Sequence, residues 1–287
     1  MRAAIHLCAA VLLLFAATRA GAQAVVELVE ERPVVPITVP GLLGERSFHL
    51  SGYLARPSGA GPFPIALLSH GSPRDGSERR RMRADAAARP ARELARRGWA
   101  ALSVLRRGYG TSDGEFAEDA GRCGARDYAA AGRESARDLA AAVAWLGAQP
   151  WADRDRLLLV GVSAGGFAST ALAAQPPPGL RAVVSFAGGR GSRGPDDVCQ
   201  PDRLVAAFRA FGRTARVPAL WIYARNDLYF GPDLARAMHA AFTEGGAPAE
   251  LHLMPPWGED GHRLYGGAPD LWWPIVDDFL ARHGLRN

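Results

Sequence analysis

The sequence predicts an α/β fold, a mostly parallel sheet covered by helices on both faces, with no large lid. Three observations predict it. Short, predominantly apolar runs recur along the chain at residues 65–69, 100–105, 157–162, 181–186 and 218–223. They are too short for helices and lack the polar alternation of a half-wet sheet, so they read as strands buried on both faces. Between them lie segments with helical spacing, and strands alternating with helices build a parallel sheet. Finally, glycine, proline and charged residues cluster just after the strands, in "HGSP", "RRGYGTSDG", "GVSAGG", "ARND" and "GEDGH". In an open sheet of this kind, chemistry sits beyond the carboxyl ends of the strands.

The elements follow in order. Residues 25–29 and 47–54 read as early strands, the second alternating through Phe48, Leu50, Gly52 and Leu54. After the 65–69 strand, Pro90 opens a helix carrying Leu94, and Gly98 stops it. Strand 100–105 leads to a long loop. Residues 127–146 then have helical spacing through Leu139, Val143 and Leu146. Strand 157–162 turns at Ser163 into a helix that ends near Pro176. Strand 181–186, helix 204–211, strand 218–223, helix 234–242, strand 250–253 and helix 271–280 complete the chain. The segment between Gly188 and Arg216 is too short for a large lid, which favours an open cleft and small or soluble groups.

The start of the chain reads differently. Arg2 precedes an apolar run over residues 9–17, and small residues occupy Ala20, Gly21 and Ala22. This pattern predicts a signal peptide over residues 1–22 and a single domain over 23–287, exported to the periplasm or beyond and with no membrane partner after cleavage. Cys123 and Cys199 then remain, and an even pair in an exported protein predicts one disulfide. All 34 basic residues are arginine, and loss of Arg2 and Arg19 takes the formal charge from +5 to +3. The basic run "ERRRMRADAAARPARELARR" is broken by Glu78, Asp85 and Glu93 and carries no aromatics. It reads as a solvated face rather than a nucleic-acid site. No metal-ligand spacing or phosphate loop occurs, so no metal or cofactor is expected.

The stretch "LLLVGVSAGGFAST" carries the chemistry. G-x-S-x-G at a strand-to-helix turn holds its serine at a strained apex with the hydroxyl exposed. Ser163 is therefore the candidate nucleophile, and it needs a base. Of the seven histidines, only His70 and His262 fall in strand-exit loops, and His262 follows a later strand, as the chain order Ser, Asp, His requires. Asp227 ends the preceding strand and is the expected partner. Asp260 lies too close in sequence to His262, and Asp233 sits at a helix start. A tetrahedral intermediate needs two N–H donors. Ala164 supplies one and Ser72 the other, because Pro73 has no N–H. Tyr109, Tyr229, Phe230 and Trp257 occupy strand-exit loops and are the candidate cleft lining.

Taken together, these five loops resemble an α/β-hydrolase of the dienelactone-hydrolase and prolyl-oligopeptidase-type branch, from about Ser47 to the C-terminus. The resemblance implies Ser163, Asp227 and His262 as triad and Ser72 and Ala164 as oxyanion donors. The chain departs from dienelactone hydrolases in having serine rather than cysteine, and from oligopeptidases in having no room for a propeller. It implies an exported serine esterase acting on a small-molecule ester. A peptidase of the prolyl-oligopeptidase type, or a non-catalytic periplasmic binding protein on the same scaffold, are the competing expectations.

Overall fold

A computed structural model describes residues 26–41 and 44–286. The signal peptide expected over residues 1–22, and Val25 of the first expected strand, lie outside the described residues. The strands are Leu28–Glu31 (β1), Val34–Gly41 (β2), Gly44–Pro57 (β3), Phe63–Ser69 (β4), Ala100–Val104 (β5), Ala152–Val162 (β6), Leu180–Phe186 (β7), the small hairpin Ser192–Gly194 (β8) with Asp197–Val198 (β9), Ala219–Ala224 (β10) and Ala249–Met254 (β11). The helices are Ala88–Arg96 (α1), Tyr128–Gly147 (α2), Ala164–Ala173 (α3), Pro201–Gly212 (α4), Pro232–Glu244 (α5), Leu264–Gly267 (α6) and Pro269–Arg282 (α7).

The main sheet runs β1-β3-β5-β4-β6-β7-β10-β11, with β2 also paired to β3. From β5 to β11 every pairing is parallel, while β1, β2 and β3 join antiparallel at one end. Side chains of successive strand residues go to opposite faces. Leu157, Leu159, Trp221 and Tyr223 accordingly face one buried cluster with α2 to α5. Leu158, Val160, Leu220 and Ile222 face the other, with α1, α6 and α7. Both faces are dry, which is why these strands read as continuous apolar runs.

Two elements differ from the sequence reading. β2 falls in a stretch expected to have no strand. Its Val35, Ile37 and Val39 are buried, while the outward positions carry Pro36 and Pro40. Proline is tolerated there because β2 pairs only with β3. The arginine run forms two 3-10 turns, Gly76–Arg81 and Ala84–Ala87, before α1. It is not solely a solvated face: Arg79 lines the cleft described below. Among the described residues no helix is long and apolar enough to cross a membrane.

Leu159 is fully buried at the centre of the sheet. Leu159→Ala removes packing that its neighbours cannot refill and is expected to cost about 2–5 kcal/mol in denaturant unfolding. A loss under about 1 kcal/mol would show that the sheet centre collapses around the change.

Candidate active site

Ser163 stands between β6 and α3 with φ 56° and ψ −123°. A serine at positive φ is strained and persists only where its surroundings hold it. Its N–H donates to Phe186 O at 2.9 Å, and its carbonyl accepts from Gly189 N at 3.1 Å and Phe167 N at 3.1 Å. The glycines beside it are required by close approach. A Cβ at Gly165 would overlap the Ser69 carbonyl, and one at Gly161 would overlap the Gly165 backbone. Ser163 is buried, only 7% exposed, and lines a cleft of about 180 Å³. Ser72 and Ala164 line the same cleft beside it.

Asp227 and His262 come together across two loops. His262 Nδ1 lies 3.1 Å from both Oδ1 and Oδ2 of Asp227. The Asp227 side chain is fully buried, and its Oδ1 also accepts from Tyr229 N at 2.7 Å and Phe230 N at 2.9 Å. The rivals are engaged elsewhere. Asp260 Oδ1 accepts from Leu228 N and His262 N, bracing the turn rather than meeting the imidazole. Asp233 is exposed and paired with Arg236. Among the described residues the Ser163 hydroxyl makes no hydrogen bond to His262.

His70 is committed to the loop that carries Ser72. Its Nδ1 faces Gly71 O at 2.6 Å and its Nε2 accepts from Arg106 N–H at 3.1 Å. Those two contacts require the neutral tautomer with the proton on Nδ1. Removal from water, reinforced by the Arg106 charge, takes its pKa down to about 3.

Of the four expected cleft residues, Tyr229 and Phe230 line the cleft. Tyr109 does not. It is fully buried, its hydroxyl donates to Glu118, and its ring meets His70 edge-on at 4.5 Å. Trp257 does not either. Its backbone N–H donates to Asn226 Oδ1 at 2.9 Å, and it packs with the cluster under α6 and α7. An aromatic in a strand-exit loop can face the cleft or pack away from it, and these two pack away from it.

Several residues were not legible beforehand. Glu118 is buried and paired with Arg106 and Arg190, and it also accepts from the Tyr109 and Ser135 hydroxyls. Burial pushes its pKa up, but the two guanidiniums outweigh that and hold it well below the usual carboxylate range. Arg106 also donates to Ser69 Oγ and His70 O, both at 2.9 Å. Asn226 joins the Asp227 loop to the His262 loop through Trp257 O, Gly258 O and Trp257 N. None has a periodic signal, and only the polar punctuation of the loops hinted at them. Cys123 and Cys199 form a disulfide between the loops after β5 and β7. Beside it, Arg126 N donates to Gln200 Oε1 at 2.8 Å.

A serine on a positive-φ strand-to-helix turn, followed by aspartate and histidine on the next two strand exits of a parallel sheet, defines an α/β-hydrolase fold. Residues 48–227 match the model of the X-Pro dipeptidyl-peptidase family S15, and the chain belongs to that family. No curated protein matches it in sequence. Among solved structures it is similar to a putative dienelactone hydrolase from Klebsiella pneumoniae, with 20% identity, TM-score 0.57 and 87% of this chain aligned to 97% of that one. It is also similar to an acetyl xylan esterase from Paenibacillus sp. R4, with 14% identity, TM-score 0.58 and coverage of 90% and 89%. The acylaminoacyl peptidase of Pyrococcus horikoshii aligns at 16% identity and TM-score 0.60 over 87% of this chain. This chain covers only 41% of that enzyme.

Two outcomes follow from this geometry. The disulfide closes a loop of 76 residues, worth about 4 kcal/mol on the chain-entropy model, so Cys123→Ser is expected to lower both melting temperature and activity. A variant melting with the native protein would show that the loops hold without the bond. His70 binds a proton in the unfolded chain below about pH 6.5 but in the folded one only near 3. Its contribution to stability is therefore complete above pH 6.5 and lost as pH falls towards 3. His70→Asn, compared with the native protein by urea unfolding at pH 7 and pH 4.5, should show a flatter acid dependence.

Proposed function

We propose that this protein is an exported serine hydrolase that cleaves carboxylic esters of small or soluble acyl groups. The strained turn that presents Ser163 at the cleft, beside Ser72 and Ala164, is the observation that carries the reading. Ser163 Oγ attacks the ester carbonyl as His262 Nε2 takes its proton. Asp227 holds the imidazole through Nδ1 and stabilises the imidazolium. The N–H groups of Ala164 and Ser72 receive the oxyanion. The alcohol leaves with the proton from His262. Water, deprotonated by the same nitrogen, then attacks the acyl carbonyl, and the second intermediate collapses to the free acid as Ser163 Oγ leaves and takes the proton back from His262. This scheme needs an Oγ to Nε2 hydrogen bond that substrate binding must bring about, as unliganded sites often do not show it.

Peptide hydrolysis is the second reading, favoured by the S15 family match. The charge of the cleft weighs against recognition of a free amino terminus. Arg74, Arg79, Arg126 and Arg190 line it against Glu118 and Asp119. Glu118 is already occupied by two arginines and two hydroxyls, which leaves Asp119 alone to meet an ammonium group.

Ser163→Ala is expected to lower kcat for p-nitrophenyl acetate by about a thousandfold or more while leaving the melting temperature within a few degrees. His262→Ala should be nearly as severe. Asp227→Asn should keep more residual rate, and Asp260→Asn should stay near native. Retention of more than a few per cent of turnover by Ser163→Ala would sink the assignment. Native protein that neither reacts with a fluorophosphonate nor turns over esters would favour a binding protein. Faster cleavage of aminoacyl anilides than of esters would favour the peptidase.

A further inference from the structure

The base is held by more than its aspartate. The Tyr229 ring lies against the His262 ring with centroids 3.8 Å apart and planes at 12°. The Arg74 guanidinium lies 3.4 Å from the same Tyr229 centroid. Two groups that close to one ring occupy opposite faces, so the order is His262, Tyr229, Arg74. Phe230 closes another side of His262 at 5.7 Å and 63°.

Arg74 is itself anchored. Its Nε donates to Ser192 Oγ at 3.0 Å, and its Nη2 donates to Gly194 O at 2.9 Å and Leu228 O at 2.8 Å. All three acceptors are neutral. Among the described residues no carboxylate pairs with this guanidinium, so its charge remains available to the tyrosine face. Its planar fork suits both roles, stacking and bonding in fixed directions. One side chain thus joins the loop after β4, the β8–β9 hairpin and the acid loop after β10.

We propose that Arg74, acting through Tyr229, is a positioning residue for His262. The proposal rests on His262 being the base of the proposed hydrolase. Asp227 meets Nδ1 with both oxygens at the same 3.1 Å, which fixes where Nδ1 points but lets the ring rock about that direction. The flat face of Tyr229 removes that freedom, and Arg74, packed on the other face, holds the Tyr229 ring in place. The imidazole plane, and with it Nε2, is then held in one orientation. Arg74 lies two residues beyond Ser72, so the loop that supplies the oxyanion donor also sets the base. A small misplacement of a base is costly in rate because proton transfer depends steeply on alignment.

The test uses the full exported protein and four variants: Tyr229→Phe, Tyr229→Leu, Arg74→Lys and Arg74→Gln. The readouts are kcat and KM for p-nitrophenyl acetate, melting temperature, and the imidazole resonances of His262 by nitrogen-15 NMR. Tyr229→Phe keeps the ring and should lose less in kcat than Tyr229→Leu. Tyr229→Leu should lose about ten- to a hundredfold in kcat, and Arg74→Gln about tenfold, with KM changed less than about threefold. Arg74→Lys keeps the charge but not the fork, and should fall between. The His262 resonances should broaden or shift in Tyr229→Leu and Arg74→Gln and not in Tyr229→Phe. Native kcat and native His262 resonances in Arg74→Gln would overturn the proposal. So would a loss of rate that merely follows a loss of melting temperature. If Ser163→Ala keeps native turnover, the hydrolase reading fails, yet the resonances still decide the stack, because they need no catalysis.

Discussion

The walls of the cleft depend on one buried carboxylate. Glu118 sits between Arg106 and Arg190 and takes the hydroxyls of Tyr109 and Ser135. These partners come from the loop after β5, from α2 and from the loop after β7. Through Arg106 the same hub reaches Ser69 and the His70 carbonyl at the end of β4. A buried ion is expensive unless every lone pair is used, and here both oxygens are bridged by several donors. The loops around the cleft carry few apolar side chains with which to form a core of their own. A polar cluster built on this doubly bridged carboxylate does that work, and removing any one member would leave buried groups unpaired.

Two kinds of constraint then divide the site between them. The sheet fixes the strand ends, and therefore where Ser163, Asp227 and His262 emerge. Close backbone approach at Gly161 and Gly165 holds the serine turn, with no side chain involved. The loops are fixed differently: by Glu118 on one side, by the disulfide on another, and by the Arg74 and Asn226 bonds near the base. The first kind is set by local sequence and burial. The second depends on partners 9 to 154 residues apart along the chain.

That division explains what the sequence made legible. The alternation of apolar runs with helical spacing exposed the parallel sheet, because each strand reports its own burial. The strand-to-helix turn at Ser163 was legible from its neighbours, and the strand-exit position of His262 by elimination among the histidines. β2 was missed although Val35, Ile37 and Val39 repeat with period two, because Pro36 and Pro40 stand at the exposed positions and weaken a strand reading. Glu118 gave no periodic signal. In "GEFAED" it looks like any solvated acid, and only the tertiary pairing with Arg106 and Arg190 takes it out of water.

Aromatic residues show the same limit from the other side. Tyr109 and Tyr229 both follow strands, and both have a polar tip that suits a cleft. Glu118 draws the Tyr109 hydroxyl inwards, beneath the loop, where its ring supports His70. Tyr229 has no such buried acceptor, and its ring is claimed on both faces by His262 and Arg74. The difference lies in what waits opposite each ring, not in the rings themselves. A loop residue's role is therefore decided by its partner, and the partner is chosen by the fold. The strand-to-helix turn at Ser163 is less ambiguous because its flanking glycines mark a close backbone approach in the sequence itself, although the partners that hold it, Ser69, Phe186 and Gly189, come from elsewhere in the chain.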